Sequence, residues 1–238
     1  MEICPVAYFR SPLPQKFGLP RQSGLVEELE GRIVFEPAFK SPDALRGLEG
    51  FDYIWLIWEF NLNSGLDPGS SNPVSLTVRP PRLGGNERVG VFASRSPFRP
   101  NGLGLSSVRV LSVDFEKCEI VVSGADLADG TPIYDIKPYV RYCDSHQEAR
   151  SGFADSREWQ RLEVRAASPE VERALLAALG EQSLRALYGL LAEDPRPAFH
   201  DDPSKEYGLS FGGFNIRFGV CGSELTILSI CPEAPDPS

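Results

Sequence analysis

The chain has 238 residues, of which 42% are apolar and 24% charged, and a formal net charge of -9. Such a length buries the core of one or two domains, and such a balance is ordinary for a soluble globular protein. Glycine and proline together number 43, which favours short strands and many turns over a helical bundle.

Residues 3–9, ICPVAYF, read as an edge strand with Pro5 near its start. RSPLPQKFGLPRQSGLV follows, with prolines at 12, 14 and 20 and glycines at 18 and 24, and predicts a long ordered or functional loop. GRIVFEP (31–37) predicts a strand. SPDALRGLEG (41–50) predicts a short helix with Ser41 as cap, Pro42 in the first turn and Gly47 or Gly50 as stop. FDYIWLIWEF (51–60) is aromatic and branched, which predicts a buried strand; it is far too short for a membrane span. LDPGSSNP (66–73) is a turn-rich connection, and SLTVRPP, RVGVFAS, LSSVRVLSVDF, CEIVVSGADL and TPIYDIKPYV supply further strands or strand ends. Six or more strands without long intervening helices predict a barrel or a sandwich, not a doubly wound sheet.

The pattern changes after about residue 148. ASPEVERALLAAL (167–179) predicts a helix capped by Ser168, and EQSLRALYGLLAED (181–194) a second, with Gly180 between them. FGGFNIRFGVCGSELTILSI (211–230) reads as two strands around a Gly222-Ser223 turn. The expected organisation is mainly β: a domain over 1–148, then a small α+β domain over 149–238 that ends in a disordered PEAPDPS tail.

Several chemistries find no support. Cys4, Cys118, Cys143, Cys221 and Cys231 form no CxxC pair, and only two histidines are present, so neither a zinc site nor a disulfide scaffold is expected. There is no GxxxxGK[ST], HExxH or GxSxG, and no glycine-rich dinucleotide loop after a first strand. MEICPVAYFRSP lacks the apolar stretch of a signal peptide, so a cytoplasmic location is expected.

Charge is uneven. Arg79 to Arg109 holds six arginines and one glutamate, a net +5, which leaves -14 for the rest. Within this window GVFASRSPFRPNGLG (90–104) predicts a short strand, GVFAS, running into a rigid loop, since Pro97 and Pro100 forbid a regular helix. A rigid loop holds Arg95 and Arg99 in place before a ligand arrives, which lowers the cost of binding an anion. TVRPPRLGGN (77–86) sets Arg79 and Arg82 around a stiff Pro-Pro unit. PRQSG (20–24) offers a charged fork and an amide in Arg21 and Gln22, suited to a carboxylate or phosphate. GADLADGTPIYDIKPY (124–139) holds Asp126, Asp129 and Asp135 with Lys137 following; period-two alternation sets Asp135 opposite Tyr134 and Ile136, paired with a cation or serving a ligand.

These segments carry a resemblance. RSP (10–12), KFGLPRQSGLV (16–26), LRGLEGFDYIWLIWEF (45–60), TVRPPRLGGNERVGVFASRSPFRPNGLGLS (77–106) and DLADGTPIYDIKPY (126–139) are similar to the TrmO/TsaA (YaeB-like) family of S-adenosylmethionine-dependent tRNA N6-methyltransferases. DPRPAF (194–199) and FNIRF (214–218) resemble the C-terminal extension of its bacterial members. The resemblance implies a TsaA-like β-barrel working as a homodimer, with S-adenosylmethionine near the subunit interface. It implies methylation of N6 of threonylcarbamoyl-adenosine at position 37 of threonine tRNA; from the residues themselves, neither a metal nor a membrane partner is expected. Carried onto this sequence, it places Arg21, Gln22, Ser23, Arg95, Leu105 and the segment Asp126, Leu127, Ala128, Asp129 at the cofactor. Asn61-Leu62 stand where many relatives have His-Gln, and PNGLG replaces the commoner PNPIG.

An exocyclic adenine nitrogen is a poor nucleophile, because its lone pair is delocalised into the ring. It must be aligned with the methyl group and lose its proton. Asp135 and Asn101 are the candidates for that orientation; Arg79, Arg82, Arg99 and Lys137 are the candidates for the threonylcarbamoyl carboxylate and the phosphates. The competing readings are a non-catalytic RNA-loop or nucleotide-binding module, which needs no methyl donor, and a purely structural domain tied together by Pro/Gly loops.

Overall fold

The computed structural model describes residues 2–63, 75–80, 87–155, 160–197 and 202–233. Alternating apolar residues place six strands around one core: β1 (Ala7–Arg10), β2 (Glu30–Phe35), β3 (Tyr53–Glu59), β6 (Leu103–Asp114), β7 (Glu119–Ser123) and β8 (Pro132–Pro138). They close into a barrel in the order β1-β2-β7-β6-β3-β8, with every neighbouring pair antiparallel. Two short strands, β4 (Thr77–Val78) and β5 (Val89–Gly90), pair apart from it. Helix α1 (Pro42–Leu45) starts as expected, with the Ser41 hydroxyl accepting from the Asp43 amide, and α2 (Arg141–Asp144) follows β8. Closure leaves no strand edge in the barrel. The N-terminal strand is therefore not the edge strand its proline suggests: Ala7 pairs with Phe35 on one side and Ile133 on the other.

On β3 the inward residues Ile54, Leu56 and Trp58 are buried, while Tyr53, Trp55, Ile57 and Glu59 face outward. On β6 the inward set is Gly104, Ser106 and Val108. Gly104 allows a close approach: a Cβ there would lie 2.3 Å from the Trp58 ring. Two expectations change around the arginine loop. Val91–Ala93 is one 3-10 turn rather than strand, and only Gly90 of GVFAS pairs in a ladder. The Ser94 hydroxyl donates to the Val91 carbonyl at 2.9 Å, which tightens that turn as it enters the proline-bounded loop.

The second unit holds β9 (Glu163–Ala166), α3 (Pro169–Ala192), β10 (Glu206–Phe211), β11 (Phe214–Cys221) and β12 (Glu224–Pro232). Its sheet runs β10-β11-β12-β9, with β9 parallel to β12. α3 is broken at Gly180 (φ 74°, ψ 170°), so two helical segments stand where the sequence predicts two. The Ser168 hydroxyl caps the first by accepting from the Val171 amide at 3.4 Å, a contact of a type that contributes about 1 kcal/mol. β9 and β10 are strands that local patterning does not predict. β12 runs through Pro232, into the segment expected to be a disordered tail, and residues 234–238 lie outside the described set.

The two units share a hydrophobic core through one loop. Residues 11–29 connect β1 to β2 of the barrel, yet Leu13, Val26 and Leu29 are buried among Leu187, Leu209 and Phe218 of the second unit. The Gly212 amide donates to the Pro12 carbonyl at 2.8 Å, and Gln182 Nε2 donates to the Glu28 carbonyl at 3.2 Å. Gly18, at φ +90°, lies so close to Leu209 that a Cβ would sit 2.2 Å from the Leu209 methyl. The segment that reads as an ordered or functional loop in sequence is thus fixed by tertiary contacts.

Candidate functional site

The fixed loop brings Arg21, Gln22 and Ser23 to the end of the barrel. Ser23 is anchored by its neighbour, since the Gly24 amide donates to the Gly124 carbonyl at 2.8 Å. Facing them is the arginine loop. Arg95 Nη1 donates to Gln22 Oε1 at 2.5 Å, and Gln22 Nε2 donates back to the Arg21 carbonyl at 2.5 Å. Arg99 Nη1 donates to the carbonyls of Ser94 at 3.1 Å and Ser96 at 3.4 Å, so this side chain shapes the loop that presents Arg95.

Below Arg95 lies Asp126. Its Oδ1 accepts from the Ser106 hydroxyl at 2.6 Å, and Ser106 in turn accepts from Trp58 Nε1 at 2.9 Å. Burial pushes the Asp126 carboxyl above the usual carboxylate range, against the opposing influence of the Ser106 hydroxyl, its own backbone amide, the Arg95 charge and the Ser23 amide. A desolvated carboxylate beside a positioned arginine is a constellation expected where a charged small molecule is held. Leu127 and Ala128 are buried behind it. Asp129 accepts from the Ser11 amide at 3.0 Å and lies 3.6 Å from Arg10 Nη1, and the Thr131 hydroxyl donates to Asn61 Oδ1 at 3.4 Å. The 126–131 turn thereby joins the 61–62 segment, whose Leu62 is exposed.

The other residues singled out in the sequence lie elsewhere. Leu105 projects from the outer face of β6, 59% exposed. Asp135 pairs in register with Ile57, which pairs with Leu105, so Asp135 stands two strands from Leu105 on the same outer face. It forms an ion pair with Lys137 at 2.9 Å. A register shift beside Trp58 makes Tyr134 an extra residue on β8, which upsets the simple alternation expected there. The Tyr134 hydroxyl bonds Glu59, and burial, reinforced by that carboxylate, pushes the phenol up to about 12. Asn101 is exposed on the turn between Arg99 and Gly102, Arg79 is exposed beyond β4, and Arg82 lies outside the described residues.

Sequence reading missed Trp58 and Ser106 as parts of this site. The available signal was a serine at an inward position of an apolar strand, a place that requires a hydrogen-bond partner. It also missed the turn that follows α3. A cavity of about 400 Å³ opens there, lined by Lys16, Phe17, Arg21, Glu193, Asp194 and Pro197 among others. Glu193 is buried, and its Oε1 pairs with Arg161 Nε at 2.9 Å.

Comparison with known proteins gives this geometry a context. Residues 8–145 match the tRNA-methyltransferase O N-terminal domain, and residues 160–233 match the TrmO C-terminal domain. The chain belongs to the TrmO family. It is 36% identical over 236 residues to the tRNA (adenine(37)-N6)-methyltransferase of Escherichia coli (strain K12), covering 96% of this chain and 97% of that protein. It is 37% identical over 223 residues to a putative S-adenosylmethionine-dependent methyltransferase, RcsF, of Pseudomonas aeruginosa, covering 91% of each. A crystal structure of TrmO from Pseudomonas aeruginosa superposes with a TM-score of 0.77 at 31% identity, covering 98% of this chain and 97% of that one. Among the described residues of this TrmO-family chain, no group of three or more His, Cys, Asp or Glu side chains is arranged to hold a metal ion, and no helix is long and apolar enough to cross a membrane.

Proposed function

We propose that this TrmO-family chain transfers the methyl group of S-adenosylmethionine to N6 of adenosine 37 in tRNA, and that the adenosine it takes carries a threonylcarbamoyl group. The observation that supports the reading is the Gln22–Arg95–Asp126 constellation, built on a barrel whose sequence and fold are those of the family.

The residues fit the cofactor's chemistry. Its amino-acid end carries a carboxylate and an ammonium, and the site offers one positioned guanidinium, Arg95, and one half-buried carboxylate, Asp126. When bound, S-adenosylmethionine supplies an electrophilic methyl on a sulfonium sulfur. The chain's own work is binding and alignment. Gln22 fixes the direction of Arg95, Ser106 and Trp58 fix Asp126, and the buried Leu127 and Ala128 exclude water behind it. Leu105, with Asp135 and Lys137 on the same outer face, extends the site to the barrel surface. In this reading Asp135 and Asn101 orient N6.

Arg79, Arg82 and Arg99 are offered to the threonylcarbamoyl carboxylate and to phosphates. Without that carboxylate, a guanidinium poised for it is left without its counter-charge, which lowers transition-state binding as well as affinity. The proposal includes a homodimer. Its support is the outer barrel face, where Tyr53, Leu105 and Leu111 are exposed at 41%, 59% and 43%.

Methyl transfer from labelled cofactor to threonine tRNA, with and without the threonylcarbamoyl group, followed by nucleoside mass spectrometry, tests the reading. The expected result is methyl at N6 of adenosine 37 and faster turnover on the modified tRNA. Equal rates on both substrates overturn the carboxylate argument, and a methyl found elsewhere, or none, overturns the activity.

A further inference from the structure

The turn after α3 has a construction that its place at a helix end does not require. Asp194 adopts φ +50°, a left-handed conformation rare outside glycine. Its amide caps the helix by donating to the Leu191 carbonyl at 3.2 Å. Its carboxylate is then gripped by Arg196: Nε donates to Oδ1 at 2.8 Å, Nη2 to Oδ2 at 2.9 Å, and the Arg196 amide to Oδ1 at 3.2 Å. The two side chains are only 24% and 11% exposed. Pro195 and Pro197 flank the arginine and stiffen the turn. A bidentate fork on a left-handed residue, from an arginine that stands between prolines, fixes the backbone at Asp194 and with it the direction of the Asp194 carbonyl. That carbonyl accepts from Arg21 Nη2 at 3.3 Å.

We propose that Asp194 and Arg196 are positioning residues for the cofactor site: the locked turn holds Arg21, and through Arg21 it sets Gln22 and Arg95. The links are continuous. The Asp194 carbonyl takes Arg21, the Arg21 carbonyl takes Gln22 Nε2, Gln22 Oε1 takes Arg95, and the charge of Arg95 reaches Asp126. The second unit thereby acts on a site that the barrel alone frames, and the shared core around Leu13 and Val26 holds the loop at the distance this contact needs. The inference rests on the reading of the Arg21–Gln22–Arg95 cluster as the cofactor site.

A double-mutant cycle on the full chain tests it, with S-adenosylmethionine affinity measured by calorimetry and kcat by methyl transfer. Arg21→Ala, Arg196→Leu and their combination are compared. Arg196→Lys serves as the milder variant, since it keeps the charge but lacks the fork. Each Arg196 variant is expected to weaken cofactor binding by about fivefold to tenfold, a coupling of the size found within one hydrogen-bond network. Arg196→Leu added to Arg21→Ala is expected to cost nothing further, and kcat at saturating cofactor should stay within about twofold, because alignment at N6 is made by other groups. Additive losses, or Arg196 variants that bind like the parent while Arg21→Ala does not, overturn the positioning role and leave the cofactor site standing. Unchanged binding in Arg21→Ala also overturns the positioning role, whereas unchanged binding in Arg95→Ala overturns the site reading itself. Should Arg196→Leu fail to fold, Arg196→Lys decides the cycle alone.

Discussion

Asp126 is held by opposing influences, and their balance has a measurable consequence. Burial raises its carboxyl above the ordinary range, and the Ser106, Ser23 and Arg95 contacts only partly offset this. The folded chain therefore keeps this proton to a higher pH than the unfolded chain does. Between the ordinary carboxylate value and the raised one, stability falls as pH rises, because the folded state binds more protons there. Asp126→Asn removes that titration. It keeps an acceptor for the Ser106 hydroxyl and is expected to flatten the fall and raise Tm at neutral pH. A gain of about 1 kcal/mol corresponds to roughly 2–4 °C in a chain of this size. The same substitution should weaken S-adenosylmethionine binding by about tenfold or more, since it removes the negative partner offered to the ammonium. Thermal melts from pH 4 to 8 together with calorimetry check both signs; an asparagine variant that is less stable at pH 7 contradicts the desolvation argument. Asp126 was legible in the sequence as part of DLADGT, but its support was not. Ser106 lies twenty positions away, and only the barrel register brings the two together.

At the scale of elements, what the sequence discloses depends on where the partner of each residue lies. β3 and β6 are legible because their runs of aromatic and β-branched residues are written locally. α3 is legible through Ser168, Pro169 and Gly180. β9 is only four residues long and partly exposed, and β10 is interrupted by Gly208, so neither carries enough period to stand out. GVFAS looks like a strand by composition, yet beyond Gly90 it finds no ladder partner among the described residues and winds into a turn. The loop over 11–29 is the clearest case. Leu13, Phe17, Leu19, Val26 and Leu29 follow neither a helical nor a strand period, because what buries them lies far along the chain in the second unit. This gives a prediction at the same scale. Leu13→Ala, at a fully buried position, should cost about 2–5 kcal/mol. The loss should appear as faster hydrogen exchange in β10 and α3, not in barrel strands β3 and β6. Exchange increased equally in both units would mean that the shared core does not belong to the second unit.

For the whole molecule, the proposed dimer ties together observations that stay separate in one chain. Leu105 and Asp135 were singled out for the cofactor and for orienting N6, yet they stand on the outer face of the barrel, while Gln22, Arg95 and Asp126 gather at its end. A second copy covering the outer face would give Leu105 a neighbour and enclose the cofactor from that side. The face has the character for it: Tyr53 and Trp55 pack with Tyr139, at ring-centroid separations of 6.2 and 5.6 Å, and Leu105 and Leu111 add exposed aliphatic surface. Aromatic and aliphatic groups of this kind form the centres of stable interfaces. Leu111 is the position to test, because it is exposed on β6 and lies six residues along the strand from Leu105. Leu111→Glu places a carboxylate where an interface would have to bury it, once from each copy, and an unpaired buried charge is disfavoured by several kcal/mol. A folded monomer is expected. Sedimentation should give about twice the 26.2 kDa chain mass for the parent and a single chain for the variant. Its circular dichroism should be unchanged, since no core contact is removed. Cofactor affinity should fall with dimerisation and recover as protein concentration is raised, because mass action restores the pair. A parent that sediments as a monomer while fully active would refute the dimer, and a monomeric variant that binds cofactor as tightly as the parent would show that the site is complete within one chain.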